Sequence, residues 1–201
     1  MKRGIVIFVE GDTEDALYRR FKDKLHSMTE NHRFEVSDLI VCNLKGIGNF
    51  KIRVQRKFEK DIRRKHPEIE YTVFLCYDTD IFDFASNPPV KWTEVESMLK
   101  NLGAVKVHQV KARHSIEDWF LNDLSGLLKF LKLPPGTNPN GNNGYEKMKN
   151  LFKKSNRVYV KGEGISGFID SINLDKVMCI NCNQLKPLCK VLNVQCPRLN
   201  P

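Results

Sequence analysis

Two uninterrupted apolar runs constrain this chain more than any other feature of its sequence. Residues 4–9 and 71–77 are rich in β-branched and aromatic side chains and lack the polar alternation of a half-exposed strand. Runs of this kind are typical of strands in a parallel sheet that is covered on both faces. Because helical patterns follow the strand-like runs through the first part of the chain, the sequence predicts an α/β fold with a mainly parallel sheet flanked by helices.

The spacing of apolar residues predicts the remaining elements. Further strands are expected at 34–44, 104–110 and 158–160. Apolar helix faces recur at intervals of three or four residues, and they comprise Leu17, Phe21, Leu25 and Met28; Phe50, Val54, Phe58 and Ile62; and Val95, Met98, Leu99 and Leu102. Another helix is expected from about Ile116 through Leu131, with shorter ones over 145–152 and 183–192.

The chain of 201 residues is long enough to bury a core without help from metals or disulfides. We expect an α/β core over residues 1–133. Residues 134–144 are rich in Pro, Gly, Asn and Thr, which predicts a polar loop. This loop begins a C-terminal extension, residues 134–201, that is expected to pack on the same domain.

Composition narrows the compartment and the partners. No apolar run approaches the roughly 18 residues that a membrane span needs, and the first run is too short for a signal peptide. The sequence therefore predicts a cytoplasmic protein without a membrane partner. It carries 33 Lys and Arg against 24 Asp and Glu, a formal charge of +9. Such an excess favours polyanionic partners, and the expected partner is nucleic acid, DNA or RNA.

The C-terminal cysteines raise the question of a structural zinc site. Cys179 and Cys182 have the spacing of half such a site. Cys189 and Cys196 are too far apart for the usual second half, and Cys189 falls on the apolar face of the helix predicted over 183–192. We therefore do not expect structural Zn²⁺ at these cysteines.

Acidic residues follow the two apolar runs directly. Glu10 ends the first run and Glu14 lies four residues further on, while Asp78 and Asp80 follow the second run. In parallel sheets, ligands bind beyond the carboxyl ends of the strands. Several carboxylates at one place repel one another unless a cation lies between them, and oxygen ligands suit Mg²⁺. Acidic residues in the first turn of a helix also have a purely structural explanation, which stays open for Glu14.

These motifs resemble a known family. Residues 9–14, Val-Glu-Gly-Asp-Thr-Glu, followed by an apolar strand that ends in Asp78-Thr79-Asp80, are similar to the TOPRIM domain of topoisomerases, primases and small nucleases. The form Glu-Gly-x-Thr-Glu is most similar to the TOPRIM modules of OLD-family and RloB-like proteins from prokaryotic defence systems. The resemblance covers roughly the first 130 residues and implies a TOPRIM, Rossmann-like fold.

The resemblance also implies roles for individual residues. Glu10 would act at the scissile phosphate or help to hold metal, and Asp78 and Asp80 would hold Mg²⁺, for which Mn²⁺ can substitute. Glu14 would contribute to a second ion. A lysine late in the chain supports catalysis in OLD nucleases, and Lys161 is the best match, although a solvated lysine is the simpler interpretation.

One further acid is implied by residues 114–120, His-Ser-Ile-Glu-Asp-Trp-Phe, which are similar to the Phe/Ile-Glu-x-Trp segment of RloB-like proteins. Either Glu117 or Asp118 would then join the metal ligands. A structural alternative is a first-turn acid below a helix cap at Ser115.

The resemblance as a whole implies a metal-dependent endonuclease, a hydrolase acting on phosphodiester bonds of nucleic acid. It would be the effector of an antiviral defence system, with an ATPase partner on a separate chain. The predicted helix over 50–62 and the residues just after it carry many basic side chains that could contact phosphates, among them Arg53, Arg56, Lys57 and Arg64. A merely solvated amphipathic helix would look the same.

Two other functions remain open from the sequence. Phosphoryl transfer of the HAD type also uses a strand followed by Asp-x-Asp, but it has Thr or Val at the fifth position, where this chain has Phe82. The other alternative is a non-catalytic TOPRIM-like module that binds nucleic acid or a partner protein.

Overall fold

The computed structural model of the protein describes residues 2–28, 39–80, 82, 88–162 and 165–192. Its described strands form one sheet with the order β2-β1-β3-β4, and they are β1 (Lys2–Val9), β2 (Leu39–Asn43), β3 (Ile69–Asp78) and β4 (Lys106–Ala112). Every neighbouring pair is parallel. The predicted α/β class, with a parallel sheet flanked by helices in a Rossmann-like arrangement, is confirmed.

The helices connect these strands and cover the sheet. They are α1 (Asp12–Met28), α2 (Phe50–Arg56), α3 (Trp92–Asn101), α4 (Ile116–Leu121), α5 (Leu124–Leu131), α6 (Gly144–Lys154), α7 (Ile165–Ile169), α8 (Leu174–Ile180) and α9 (Cys182–Val191). A short 3₁₀ turn (Ile47–Asn49) precedes α2, and a π-helical segment (Lys57–Arg63) continues it.

Different helices cover the two faces of the sheet because successive side chains of a strand point in opposite directions. Ile5 and Ile7 of β1 pack in one cluster with α1 and α4 to α9. Val6 and Phe8 pack in the other cluster with α2, its π-helical continuation and α3. The described helices beyond residue 134 therefore pack on the same core as the central strand of the sheet.

The helix predicted from Phe50, Val54, Phe58 and Ile62 is present, and all four side chains are buried. Its second half is π-helical, which the sequence did not suggest. A strict four-residue spacing drifts by about 40° per step around an α-helix of 3.6 residues per turn. The wider turns of a π-helix reduce this drift and keep the four side chains on one buried face.

The prediction of one helix from Ile116 through Leu131 is wrong, because α4 ends at Leu121 and α5 begins at Leu124. The break lies at Asp123, whose buried carboxylate accepts hydrogen bonds from the backbone N–H of Asn173 at 2.8 Å and from Lys176 Nζ at 3.2 Å. These partners lie some fifty residues further along the chain, so local spacing could not reveal them.

Three strand predictions need adjustment. β2 occupies Leu39–Asn43, and the earlier part of the predicted strand, 34–38, lies outside the described residues. β4 begins and ends two residues later than predicted. The strand predicted over 158–160 is wrong, since only Val160 takes part in an isolated bridge. The three side chains nevertheless alternate in burial, because Tyr159 is buried between the exposed Val158 and Val160.

The helix predicted over 183–192 corresponds to α9, and Leu185, Leu188 and Cys189 form its buried face. Cys182 is also buried, whereas Cys179 on α8 is half-buried. Cys196 lies outside the described residues. Among the helices that the structure describes, none is both long and apolar enough to cross a membrane.

Candidate active site at the carboxyl edge of the sheet

The two central strands bring the predicted acidic residues together. β1 and β3 are parallel neighbours, with Phe8 aligned to Leu75, so both strands end at the same edge of the sheet. The backbone N–H of Asp78 donates a hydrogen bond to Glu10 Oε1 at 3.2 Å. The structure therefore brings Glu10 and Asp78 together at one edge of the sheet.

Three carboxylates surround the ammonium group of Lys161. Lys161 Nζ lies 3.2 Å from Asp78 Oδ2, 3.8 Å from Glu14 Oε1 and 3.9 Å from Glu117 Oε1. The three carboxylate side chains are at most 3% exposed, whereas the lysine side chain is 45% exposed. We call Glu10, Glu14, Asp78 and Glu117 the carboxylate cluster. The late lysine thus lies within ion-pair distance of three of its members.

The start of α4 explains why Glu117 rather than Asp118 joins this cluster. Ser115 is the N-cap residue, and Asp118 completes a capping box by accepting from the Ser115 backbone N–H at 3.3 Å. Asp118 is therefore occupied in capping the helix. Glu117 is fully buried and accepts a hydrogen bond from the Tyr159 hydroxyl at 3.1 Å.

The first turn of α1 separates the roles of its acids in the same way. The Asp12 carboxylate accepts from Asn43 Nδ2 at 2.7 Å and from Lys45 Nζ, which joins α1 to the end of β2. Glu14 instead points into the protein and is 2% exposed. A residue that served only the helix dipole would gain nothing from this burial.

Burial makes the cluster electrostatically unusual. Burial, and next the charge of Glu14, raise the pKa of Glu10 from 4.5 to about 7. Burial also raises the pKa of Glu14, and burial together with the charge of Glu14 raises that of Asp78 well above its usual range. Burial would lower the pKa of Lys161, but Asp78, Glu117 and Glu14 outweigh it and raise that pKa. Full ionisation of all four acids would therefore place more negative charge in the cluster than one ammonium group balances.

Several oxygen atoms of the cluster are buried without a hydrogen-bond partner among the described residues: Glu14 Oε1 and Oε2, Asp78 Oδ1 and Glu117 Oε2. An unsatisfied buried polar atom costs about 1–3 kcal/mol, so a group of them calls for an explanation. The donor set consists only of oxygen, which suits a hard divalent cation such as Mg²⁺.

The cluster does not form a finished metal site in its present arrangement. Within the described ranges, no three His, Cys, Asp or Glu side chains are placed so that they could hold a metal ion. The ammonium of Lys161 takes the position between the carboxylates. The side chain that would have to withdraw is partly exposed and lies in a turn before Gly162, whose φ of 92° is in the left-handed region.

Asp80, the fourth acid that the sequence singled out, lies at the margin of the cluster. It is half-buried, and its negative charge contributes to the raised pKa of Glu10. Its backbone N–H donates to the His114 carbonyl at 3.0 Å, and the His114 N–H donates to Thr79 Oγ1 at 2.9 Å. These bonds fix the chain after β3 to the chain after β4.

The basic side chains of α2 and of the π-helical segment lie away from the carboxylate cluster. These helices pack on the face of the sheet that carries Val6 and Phe8. Arg56 and Arg64 are exposed and Lys57 is half-buried. Arg53 differs from them because its guanidinium donates to the Lys45 carbonyl at 2.8 Å and also to the Leu44 carbonyl. This arginine therefore fixes the loop after β2, and the remaining three are better placed to contact phosphates.

Reversing the charge of Arg56, Lys57 and Arg64 together is expected to weaken nucleic-acid binding. Each lost phosphate contact should flatten the slope of log K against log salt by about one unit. The salt dependence of binding, measured by fluorescence anisotropy, checks this, with reversal of Lys149 and Lys153 on α6 as the control. An unchanged slope in the triple variant would mean that nucleic acid binds to another surface of the protein.

The chain was compared with protein families, curated proteins and solved structures. No family model, no curated protein and no solved structure matches the chain. The chemistry of the carboxylate cluster therefore has to be inferred from its own geometry.

Sequence reasoning found Glu10, Glu14, Asp78, Glu117 and Lys161, which the structure brings together. It missed Tyr159, the hydrogen-bond partner of Glu117. No pattern in the sequence singles out Tyr159, because residues 158–160 are uniformly apolar and the burial of the central one depends on packing against distant elements.

Proposed function

We propose that the protein is a cytoplasmic, Mg²⁺-dependent nuclease that hydrolyses phosphodiester bonds of nucleic acid. The observation that carries this proposal is the carboxylate cluster at the carboxyl edge of β1 and β3, where four acids gather and three of them lie within ion-pair distance of one lysine. A purely structural role does not account for oxygens that are buried and have no hydrogen-bond partner in the described part of the chain.

Asp78, Glu14 and Glu117 would hold the ion through these oxygens, with Glu10 and Asp80 beside them. When bound, Mg²⁺ would neutralise charge on the phosphoryl oxygens and favour the attack of water. Burial first, and repulsion from neighbouring acids after it, raise the pKa of Asp78 and Glu14, and a bound cation would offset both costs of ionising these carboxyl groups.

The protein's own residues would supply the remaining steps. Glu10, with a pKa of about 7, is suited to accept a proton from the attacking water near neutral pH. Lys161 is the cation nearest to the cluster and is partly exposed, so after withdrawing from the carboxylates its ammonium could donate to a phosphate oxygen. Tyr159 would position Glu117 by its hydrogen bond.

The wider biological role rests on the resemblance of residues 9–14 and 78–80 to TOPRIM modules of OLD-family and RloB-like proteins. On that basis we propose an effector of antiviral defence that works with an ATPase on a separate chain. Two features favour a nucleic-acid substrate. One is the basic face of α2 and of the segment after it, and the other is the net charge of +9 for the whole chain.

Two neighbouring acids provide a matched test of the proposal. Glu117→Gln is expected to lower the affinity for Mn²⁺ at least about tenfold and to lower cleavage with it, because a buried ligand loses its charge. Asp118→Asn should keep both properties and cost at most about 1 kcal/mol of stability, because it alters only the cap. Calorimetric titration with Mn²⁺ and cleavage of mixed DNA and RNA substrates, with EDTA as the blank, measure the two effects.

The proposal would be contradicted if Glu117→Gln and Asp118→Asn lowered Mn²⁺ affinity and cleavage to the same extent. The Asp118 carboxylate only caps the start of α4, so its loss should affect neither property. Retention of Mn²⁺ binding in Glu117→Gln would likewise remove that residue from the ligands. Tight binding of nucleic acid without cleavage in any divalent cation would favour the non-catalytic alternative.

A further inference from the structure

A basic groove lies at the amino-terminal end of the sheet, away from the carboxylate cluster. It has a volume of about 720 Å³, is open to solvent on one side and is lined by the first halves of β1, β3 and β4 and by α9. Ile5 of β1 in the groove lies five residues before Glu10 of the cluster, or about 17 Å along an extended chain. The groove is therefore a separate place for binding.

Four cations line the groove: Arg3, Lys106, Lys186 and Lys190. All four are exposed, and none of them has a side-chain hydrogen bond or an ion pair within the part of the chain that the structure describes. Glu70 is the one carboxylate among the lining residues. Unpaired cations around a concavity attract an anion that carries several charges.

The strand register explains how these cations come together. Arg3 of β1 is aligned with Glu70 of β3, and Thr72 of β3 is aligned with Lys106 of β4. Lys186 and Lys190 are four residues apart on α9 and so lie on one side of that helix. Two strands and one helix thus direct positive charge toward one space.

The groove also offers apolar surface and the polar side chains of Thr72, His108 and Asn183. Ile5, Val105, Pro187 and Val191 contribute apolar lining. His108, which stacks on Phe74 with ring centroids 5.3 Å apart, has its Nε2 buried with no described hydrogen-bond partner. Burial, and next the charge of Lys106, lower the pKa of His108, so its ring is neutral near pH 7 and can donate or accept one hydrogen bond.

We propose that this groove binds a nucleoside polyphosphate, with the phosphates on the cations of β1, β4 and α9 and the nucleoside against the apolar lining and His108. A fatty acid also combines an apolar body with a negative charge, but its single charge would leave most of the four cations without a partner. A volume of 720 Å³ is that of a small-ligand site, which disfavours a folded acidic protein. A nucleoside polyphosphate meets the three requirements of multiple charge, apolar body and small size.

Calorimetric titration with ATP in EDTA tests the proposal without involving a metal at the carboxylate cluster. We expect saturable one-to-one binding that the variant Lys186→Glu/Lys190→Glu weakens at least about tenfold. The control Lys149→Glu/Lys153→Glu makes the same charge change at the same spacing on the exposed side of α6, and it should change the affinity less than about twofold. Glu117→Gln should bind ATP like the wild type even if the nuclease proposal fails.

Three further ligands identify the part of the molecule that is recognised. Adenosine should bind at least about tenfold more weakly than ATP, because it lacks the charges. RNA with a 5′-triphosphate that binds more tightly than ATP, and loses this advantage in Lys186→Glu/Lys190→Glu, would show that the natural source is a strand end. Tripolyphosphate that binds as tightly as ATP would overturn the nucleoside part of the proposal.

A second measurement uses only the wild-type protein, so a folding defect in the double variant cannot affect it. In the wild-type protein, ATP should shift the NMR signals of the His108 ring, and tripolyphosphate should shift them less. The proposal is wrong if ATP produces no binding heat at millimolar concentration, or if both double variants weaken binding equally.

Discussion

Replacing Asp78 by asparagine is expected to lower divalent-cation-dependent cleavage by several orders of magnitude while the protein stays folded. The substitution keeps the shape of a side chain that is 1% exposed and removes one negative charge from the carboxylate cluster. Loss of a metal ligand removes stabilisation that operates mainly in the transition state, so the turnover number should fall more than the Michaelis constant rises. Single-turnover cleavage of labelled DNA and RNA in Mg²⁺ and in Mn²⁺ measures this.

The same substitution has a second consequence for stability. The raised pKa of Asp78 means that the ionised carboxylate is disfavoured in the folded protein. A carboxyl group of this kind stabilises the fold below its unfolded pKa, and that contribution is lost as the pH rises through the folded pKa. Asp78→Asn should therefore match or exceed the wild type in unfolding free energy above neutral pH.

A matched substitution separates these effects from a general effect of charge. Asp23 is exposed on α1 and away from the basic segment, so Asp23→Asn should leave both cleavage and stability within experimental error. Full activity of Asp78→Asn beside an active wild type would discard the proposed mechanism, whatever its effect on stability.

The framework of the site could be predicted from the sequence because it depends on local patterns. The runs at 4–9 and 71–77 are apolar throughout, as strands covered on both faces must be, and each is followed at once by its acids. The common edge of β1 and β3 then follows from parallel pairing alone. The meeting of Glu10 and Asp78 is therefore predictable from local sequence together with the geometry of parallel sheets.

Other features depend on contacts between distant parts of the chain. Asp123 breaks the predicted helix by accepting hydrogen bonds from residues 173 and 176. Arg53 has the sequence pattern of a phosphate-contacting cation, but its guanidinium is engaged by the backbone of residues 44 and 45. The four cations of the groove come from residues 3, 106, 186 and 190, and only the register of the sheet and the packing of α9 assemble them.

Replacing Lys161 by methionine should destabilise the protein in a way that depends on pH. Methionine keeps a side chain of similar length but removes the cation that lies 3.2–3.9 Å from three buried carboxylates. Breaking a buried ion pair costs about 3–5 kcal/mol, and the partial exposure of this lysine reduces the expected loss to about 2 kcal/mol at pH 8. Urea-induced unfolding followed by circular dichroism measures this difference.

The direction of the pH dependence follows from the carboxylates. The pKa of Lys161 is raised above 10.5, so the lysine itself stays charged between pH 5 and pH 9 and adds no slope there. The pKa values of Glu10, Glu14 and Asp78 are raised in the folded protein, and Lys161 lowers each of them. Without the lysine they rise further, so the variant should lose stability more steeply than the wild type as the pH increases from about 5 to 8.

Divalent cations distinguish a metal site from a structural ion-pair network. With the ammonium absent, the unpartnered oxygens of Glu14, Asp78 and Glu117 are open to another cation, and Mn²⁺ should raise the melting temperature of Lys161→Met more than that of the wild type. Lys149→Met on the exposed side of α6 should show neither the loss of stability nor the recovery. Lys161→Met could be destabilised as expected while neither Mn²⁺ nor Mg²⁺ raises its melting temperature. The carboxylates would then only form a structural ion-pair network with Lys161, and the metal-dependent mechanism would be wrong.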